Sequence, residues 1–205
     1  MLPHPSSRLK ATLAELQTRI AALPANAAAV IVLQECVPQG LDTIGSTAWV
    51  RAGFLRTDVN SRNWASRSYG TTTLVDRRLS VVGCFRIHYA LTDMDRDALF
   101  VDVVFGLNSG DGKESVPEGY SAGSRGKTIR FCNTHLESLA HEPAFRPSQT
   151  ALAAKFMHED SVHGALLAGN LNAIQPFDCT LHSDNGLRDA YLELGGQGDS
   201  EEGYT

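Results

Sequence analysis

The sequence predicts an α/β sandwich with sheet packed on sheet. Three observations lead there. Apolar runs of strand length, dense in Val, Ile, Thr and Phe, recur along the chain. Segments of helical period interleave with them. The composition is that of one ordinary folded domain covering residues 1–205, with 42% hydrophobic and 20% charged residues. That balance excludes a disordered chain, a collagen-like chain and a coiled coil. No apolar run approaches the ~18 residues that span a membrane.

Residues 6–22 read as a helix, capped by Ser6 or Ser7, with Leu9, Leu13, Leu16, Ile20 and Leu23 at three- and four-residue spacing. The run 28–33 reads as a strand buried on both faces. A second helical stretch is expected over 38–53. Strands are expected over 54–59, 71–75, 80–90, 98–105 and 128–134, and a long Gly/Ser-rich surface loop over 106–126. A helix over 147–159, a short buried strand over 164–169 and a helical turn near 187–194 complete the order.

The net charge of −5 argues against a polybasic nucleic-acid binder. The charge is uneven, however. Arginines 51, 56, 62, 67, 77, 78 and 86 crowd the middle, and the end from Asp178 is acidic. A solvated face and a phosphate-facing segment are both open readings of that middle. Cysteines 36, 84, 132 and 179 form no CxxC pair and sit in or beside apolar runs. They are expected to be buried thiols, and the N-terminus carries charges where a signal peptide needs an apolar block. An intracellular location, nuclear or cytoplasmic, is the expectation.

Four constellations stand at strand ends, where α/β proteins place their sites. Leu33-Gln34-Glu35 puts a carboxylate after an apolar strand, where a hard divalent ion finds oxygen ligands. In Asn133-Thr134-His135-Leu136-Glu137-Ser138, His135 can donate to a phosphoryl oxygen and Glu137 can orient a neighbour. Gly169-Asn170-Leu171-Asn172 turns two amides out of a sheet edge. Arg146 and Gln149, at i and i+3, share a helix face from which they can tie the His135 loop to the sheet. Each segment also has a plain structural reading: a solvated acid, a satisfied His, an Asn turn, a polar helix face. Gly126-Lys127-Thr128 lacks the spacing of a phosphate-binding P-loop. No zinc deaminase motif and no G-x-S-x-G elbow occur.

Taken in order, these segments resemble the endonuclease/exonuclease/phosphatase superfamily, the DNase I-like fold, in its 5′-tyrosyl-DNA phosphodiesterase-like branch. Tyr69-Gly70-Thr71-Thr72-Thr73-Leu74-Val75 and Leu187-Arg188-Asp189-Ala190-Tyr191 join the match, which covers roughly residues 28–205. The resemblance implies a four-layer α/β/β/α sandwich and a Mg²⁺- or Mn²⁺-dependent phosphodiesterase or nuclease-like hydrolase, with nucleic-acid ends among its candidate substrates. It implies that Glu35 holds the metal, that His135, Asn170 and Asn172 stand at the reacting phosphate, and that Tyr69, Glu137, Arg146 and Gln149 support them.

Three departures qualify that expectation. Asn170 stands where the family has Asp, and an amide has no basic lone pair to activate water, a loss typically of about 10²–10⁴ in rate. No Trp-Asn-like strand precedes residues 6–22, and no Ser-Asp-His-like segment closes the chain. The domain is therefore expected to be partial, truncated at both ends, with its first and last motif strands missing. The alternative function is a pseudoenzyme or gene fragment that binds phosphate-bearing ligands without hydrolysing them.

Overall fold

Helix α1 spans Pro5–Ala21. Proline has a preset φ and no N–H to satisfy, so it suits a first helical position. Ser6 and Ser7 therefore lie in the first turn and are not its caps. Leu9, Leu16 and Ile20 pack around the buried Leu13, and Leu23 falls beyond the helix and is exposed. The structure, a computed structural model, describes residues 5–105, 126–140 and 143–198. Most of the expected 106–126 loop lies outside the described residues.

Strand β1 (Val30–Cys36) leads into α2 (Pro38–Ser46), α3 (Ala48–Gly53), β2 (Phe54–Arg56) and β3 (Gly70–Asp76). The single helix expected over 38–53 is two helices, because Thr47 adopts an extended ψ of 121°. Its N–H closes α2 on Thr43 and Ile44 carbonyls while the chain redirects into α3. The expected 54–59 strand stops at Arg56. Asp58 turns inward to a buried ion pair with Arg86, which ends the ladder.

Strands β4 (Ser80–His88), β5 (Asp97–Phe105), β6 (Lys127–His135) and β7 (Gly164–Asn170) form the second sheet, with α4 (Arg146–Met157) crossing between β6 and β7. α5 (Ala190–Glu193) follows two short 3₁₀ turns. The sheet orders are β1-β3-β2 and β4-β5-β6-β7, antiparallel throughout except for the parallel pair β6–β7.

Three apolar layers hold this arrangement. α1 and α2 cover the first sheet through Leu13, Leu41, Ile44 and Leu74. Val75, Val101 and Val103 fill the space between the sheets. Phe100, Cys132, Ala153 and Met157 join the second sheet to α4. The result is an α/β/β/α sandwich. β1 and β7 are edge strands among the described residues, and neither is buried on both faces as its apolar run predicts. Leu166 of β7 is exposed, whereas β5, central in its sheet, is buried from Asp97 to Val101. Cys36 and Cys132 are buried as expected, but Cys84 and Cys179 are exposed.

Polar groups also bridge the two sheets. The buried Asn133 accepts from Gln34 Nε2 (2.8 Å) and donates to Leu33 O, Thr72 O and Thr73 Oγ1. Arg86 pairs with Asp58 and Asp97. That pairing, with Arg78 on Asp76 and Arg56 on the Leu41 carbonyl, gives part of the arginine-rich middle segment a structural role. Among the described residues no helix is long and apolar enough to cross a membrane.

Candidate active site at the strand ends

The parallel pairing of β6 and β7 sets His135 opposite Asn170, so both strands end at one edge. The Gln34–Asn133 bond brings the end of β1 to the same edge. Gly169 makes the junction feasible. Its φ is +146°, and a Cβ there would sit 1.8 Å from the Thr134 carbonyl oxygen.

Glu35 lies in a bulge. Leu33 pairs with Thr72 and Cys36 with Gly70, so two residues of β1 face one of β3. Such a bulge re-aims a side chain. Glu35 takes φ 54°, a left-handed conformation that costs a non-glycine residue about 1–2 kcal/mol. Its carboxylate is exposed and makes no hydrogen bond or ion pair among the described residues.

His135 is only 3% exposed, and its Nδ1 lies 2.7 Å from Arg96 Nη1. A guanidinium only donates, so Nδ1 accepts and Nε2 carries the proton. Burial first, then the Arg96 charge, pull the imidazole down to about 4, with Glu137 opposing. His135 is thus a neutral donor at neutral pH, not a cation. Ser138 Oγ accepts from Arg96 Nη2 (3.2 Å) and from Asn172 Nδ2 (3.1 Å). Asn172, at φ 47°, also donates to the Leu136 carbonyl (2.8 Å). Its NH₂ group is thereby committed to Leu136 and Ser138. Asn170 Oδ1 accepts from the Asn172 N–H.

The supporting residues build the loop beneath. Glu137 is fully buried. Its Oε2 accepts from the Thr92 hydroxyl and from the Asp93 and Met94 N–H groups. Gln149 accepts from the Glu137 N–H and donates to the Leu91 carbonyl. Arg146 forms a bidentate pair with Asp178 (2.9 and 2.8 Å) and donates from Nη1 to the Glu137 and Leu139 carbonyls. The Tyr69 hydroxyl donates to the Met94 carbonyl (2.6 Å), and the Arg96 guanidinium lies 5.1 Å from its ring centroid. Burial, above all, pushes that phenol up.

Sequence reasoning missed Arg96 and Asp178 and gave Asn133 and Ser138 no role of their own. Both of the latter sat within a singled-out segment and were findable. Arg96 lies in a polar loop and Asp178 in a short 3₁₀ turn, with no periodicity to mark them. A cavity of roughly 390 Å³ opens near Val30, Arg78 and Phe131, at the far end of these strands, and among the described residues no carboxylate or histidine lines it.

Mg²⁺ is usually held by one or two carboxylates, waters and substrate phosphate. Among the described residues no group of three or more His, Cys, Asp or Glu forms a metal cage. One free carboxylate fits a cation shared with a bound phosphate, not one held by protein alone.

No family model and no curated protein match the sequence. Solved structures do. Zebrafish (D. rerio) TDP2 complexed with a single-stranded DNA product aligns at 18% identity and TM-score 0.64, covering 93% of this chain and 64% of that one. C. elegans TDP2 aligns at 20% identity and TM-score 0.61, covering 95% and 50%. The human Nocturnin catalytic domain with a bound sulfate anion aligns at 19% identity and TM-score 0.57, covering 97% and 70%. The chain thus spans 50–64% of the length of these two TDP2 chains. At such identities the likeness is one of fold: this chain has the DNase I-like four-layer sandwich of TDP2 and the Nocturnin catalytic domain.

Proposed function

We propose that this chain is a phosphodiesterase-type protein of the endonuclease/exonuclease/phosphatase superfamily. It binds a phosphate group of a nucleic-acid end at His135 and Ser138 and hydrolyses it slowly with a divalent cation, Mg²⁺ or Mn²⁺. The observation that carries this reading is the pair of donors, His135 Nε2–H and the Ser138 hydroxyl, left without a protein acceptor among the described residues at the strand ends. Tetrahedral oxyanions take donors of this kind. Glu35 would hold the cation, which when bound neutralises charge on the phosphate. The DNA product in the TDP2 complex and the sulfate in Nocturnin support an anion site in this fold.

Asn170 favours a second reading, binding without turnover. Its amide cannot take a proton from water. Asn170→Asp decides between the two. A single-stranded oligonucleotide with a 5′-aryl phosphodiester is incubated with the full chain and Mg²⁺ or Mn²⁺. The expected result is slow metal-dependent release, lost in Glu35→Ala and raised about 10²-fold or more in Asn170→Asp. Binding with no release, even in Asn170→Asp, establishes the second reading. No salt-sensitive binding of the oligonucleotide sinks both.

A further inference from the structure

Arg96 differs from the other deeply buried arginines. Arg86 pairs with Asp58 and Asp97, Arg130 with Asp102 and Glu159, and Arg146 with Asp178. Arg96 is 5% exposed, yet its contacts are uncharged: His135 Nδ1, Met94 Sδ, Ser138 Oγ and the Tyr69 ring. Its Nε makes no hydrogen bond. Glu137 is close in sequence to Ser138, but its oxygens are taken by Thr92, Asp93, Met94 and Ser138. A buried guanidinium with no carboxylate in ion-pairing range, among the described residues, is costly unless an anion arrives.

We propose that Arg96 is the positioning residue of this site, converting His135 and Ser138 into two fixed outward donors for a tetrahedral oxyanion without touching that anion itself. The inference rests on the phosphate-binding reading above. One edge of the guanidinium reaches both groups. Nη1 forces the proton of His135 onto Nε2. Nη2, with Asn172 Nδ2, fills the acceptor sites of Ser138 Oγ, so its single proton points elsewhere. The charge of Arg96 then reaches the ligand through two neutral groups. The charged groups acting on the imidazole are Arg96 and Glu137, which oppose each other. Without Arg96, Glu137 draws a proton onto His135, and the neutral donor becomes a titrating one.

The test uses the full chain and sulfate, whose charge is constant across the range. Imidazole ¹⁵N shifts and sulfate affinity are followed between about pH 5 and 8 in the native protein, Arg96→Met and Arg96→Lys. In the native protein, His135 stays in the Nε2–H tautomer and affinity is flat with pH. In Arg96→Met, affinity at neutral pH falls about 10–100-fold, the tautomers mix, and affinity returns as His135 protonates in acid. Arg96→Lys keeps the charge and one donor, so it restores part of the affinity and the tautomer, and it reports on the role should Arg96→Met not fold. An unchanged tautomer and unchanged affinity in both variants overturn the inference while leaving the phosphate reading intact. If the native protein binds neither sulfate nor a phosphate-bearing oligonucleotide, the phosphate reading falls. Mixed tautomers in the native protein overturn the role of Arg96 independently.

Discussion

The two halves of the strand-end site are built in opposite ways. On the anion side, each group is fixed by others: Arg96 holds His135 and Ser138, Asn172 holds Ser138 and Leu136, and Arg146 and Gln149 hold the backbone of residues 137–139. On the cation side, Glu35 is exposed, unpaired among the described residues and set in a left-handed conformation by a bulge. On the proposed function, the contrast teaches that the protein would supply the geometry for an anion, and a cation would have to be organised by the ligand that brings it. Hydrogen bonds made in advance lower the ordering cost of binding, and a lone carboxylate does not.

The anion side should break first and hardest from beneath. Arg146→Met removes a bidentate partner and leaves Asp178 buried and unpaired, along with the carbonyls of Glu137 and Leu139. Breaking such a pair from one side costs about 3–5 kcal/mol. Urea denaturation should show that loss, together with loss of phosphate binding. A loss below about 1 kcal/mol, the level of an exposed pair, refutes the view that this loop is held from beneath.

A subtler distinction lies in pH. Unfolded, His135 has its ordinary value of 6.5; folded, it falls to about 4. Between those values the unfolded chain holds a proton that the folded chain does not, so stability drops as pH falls through that window. Above 6.5 both states are neutral and the contribution is complete and flat. The pH slopes of thermal melts of the native protein and His135→Gln should therefore differ between about pH 4 and 6.5, where only the native protein gains this stability as pH rises, and agree above 6.5. Identical slopes in the two proteins would contradict the buried neutral imidazole.

How much of this was readable beforehand follows the same division. Strands and helices announced themselves because core-facing positions repeat with a fixed period, as Leu9, Leu13, Leu16 and Ile20 do. The short motifs carrying Glu35, His135 and Asn172 do fall at strand ends, as read, since a strand's end fixes where its side chains emerge. The bulge at Gln34–Glu35 and the break at Thr47 left no such trace. The bulge is set by a partner distant in sequence, β3, and the break by a single extended residue, Thr47, inside an otherwise helical stretch. Arg96 was invisible for a related reason. In Asp93-Met94-Asp95-Arg96-Asp97 it reads as one charge in a solvated loop, and only folding brings it 39 positions along the chain to His135.

The smallest effect is also the sharpest on the cation side. Glu35 sits at φ 54° with no interaction among the described residues to offset the strain. Asparagine tolerates this conformation better than glutamate, because its short side chain bonds to nearby backbone. Glu35→Asn should therefore raise stability, by a few tenths of a kcal/mol up to about 1 kcal/mol, since the left-handed cost itself is only about 1–2 kcal/mol. The same change removes the carboxylate, so metal-dependent release should vanish while sulfate affinity at His135 and Ser138 persists. Stability gained with function lost marks a residue placed for its ligand and not for the fold. If Glu35→Asn destabilises the protein, Glu35 has a structural partner after all, and the two halves of the site are less different than their hydrogen bonds indicate.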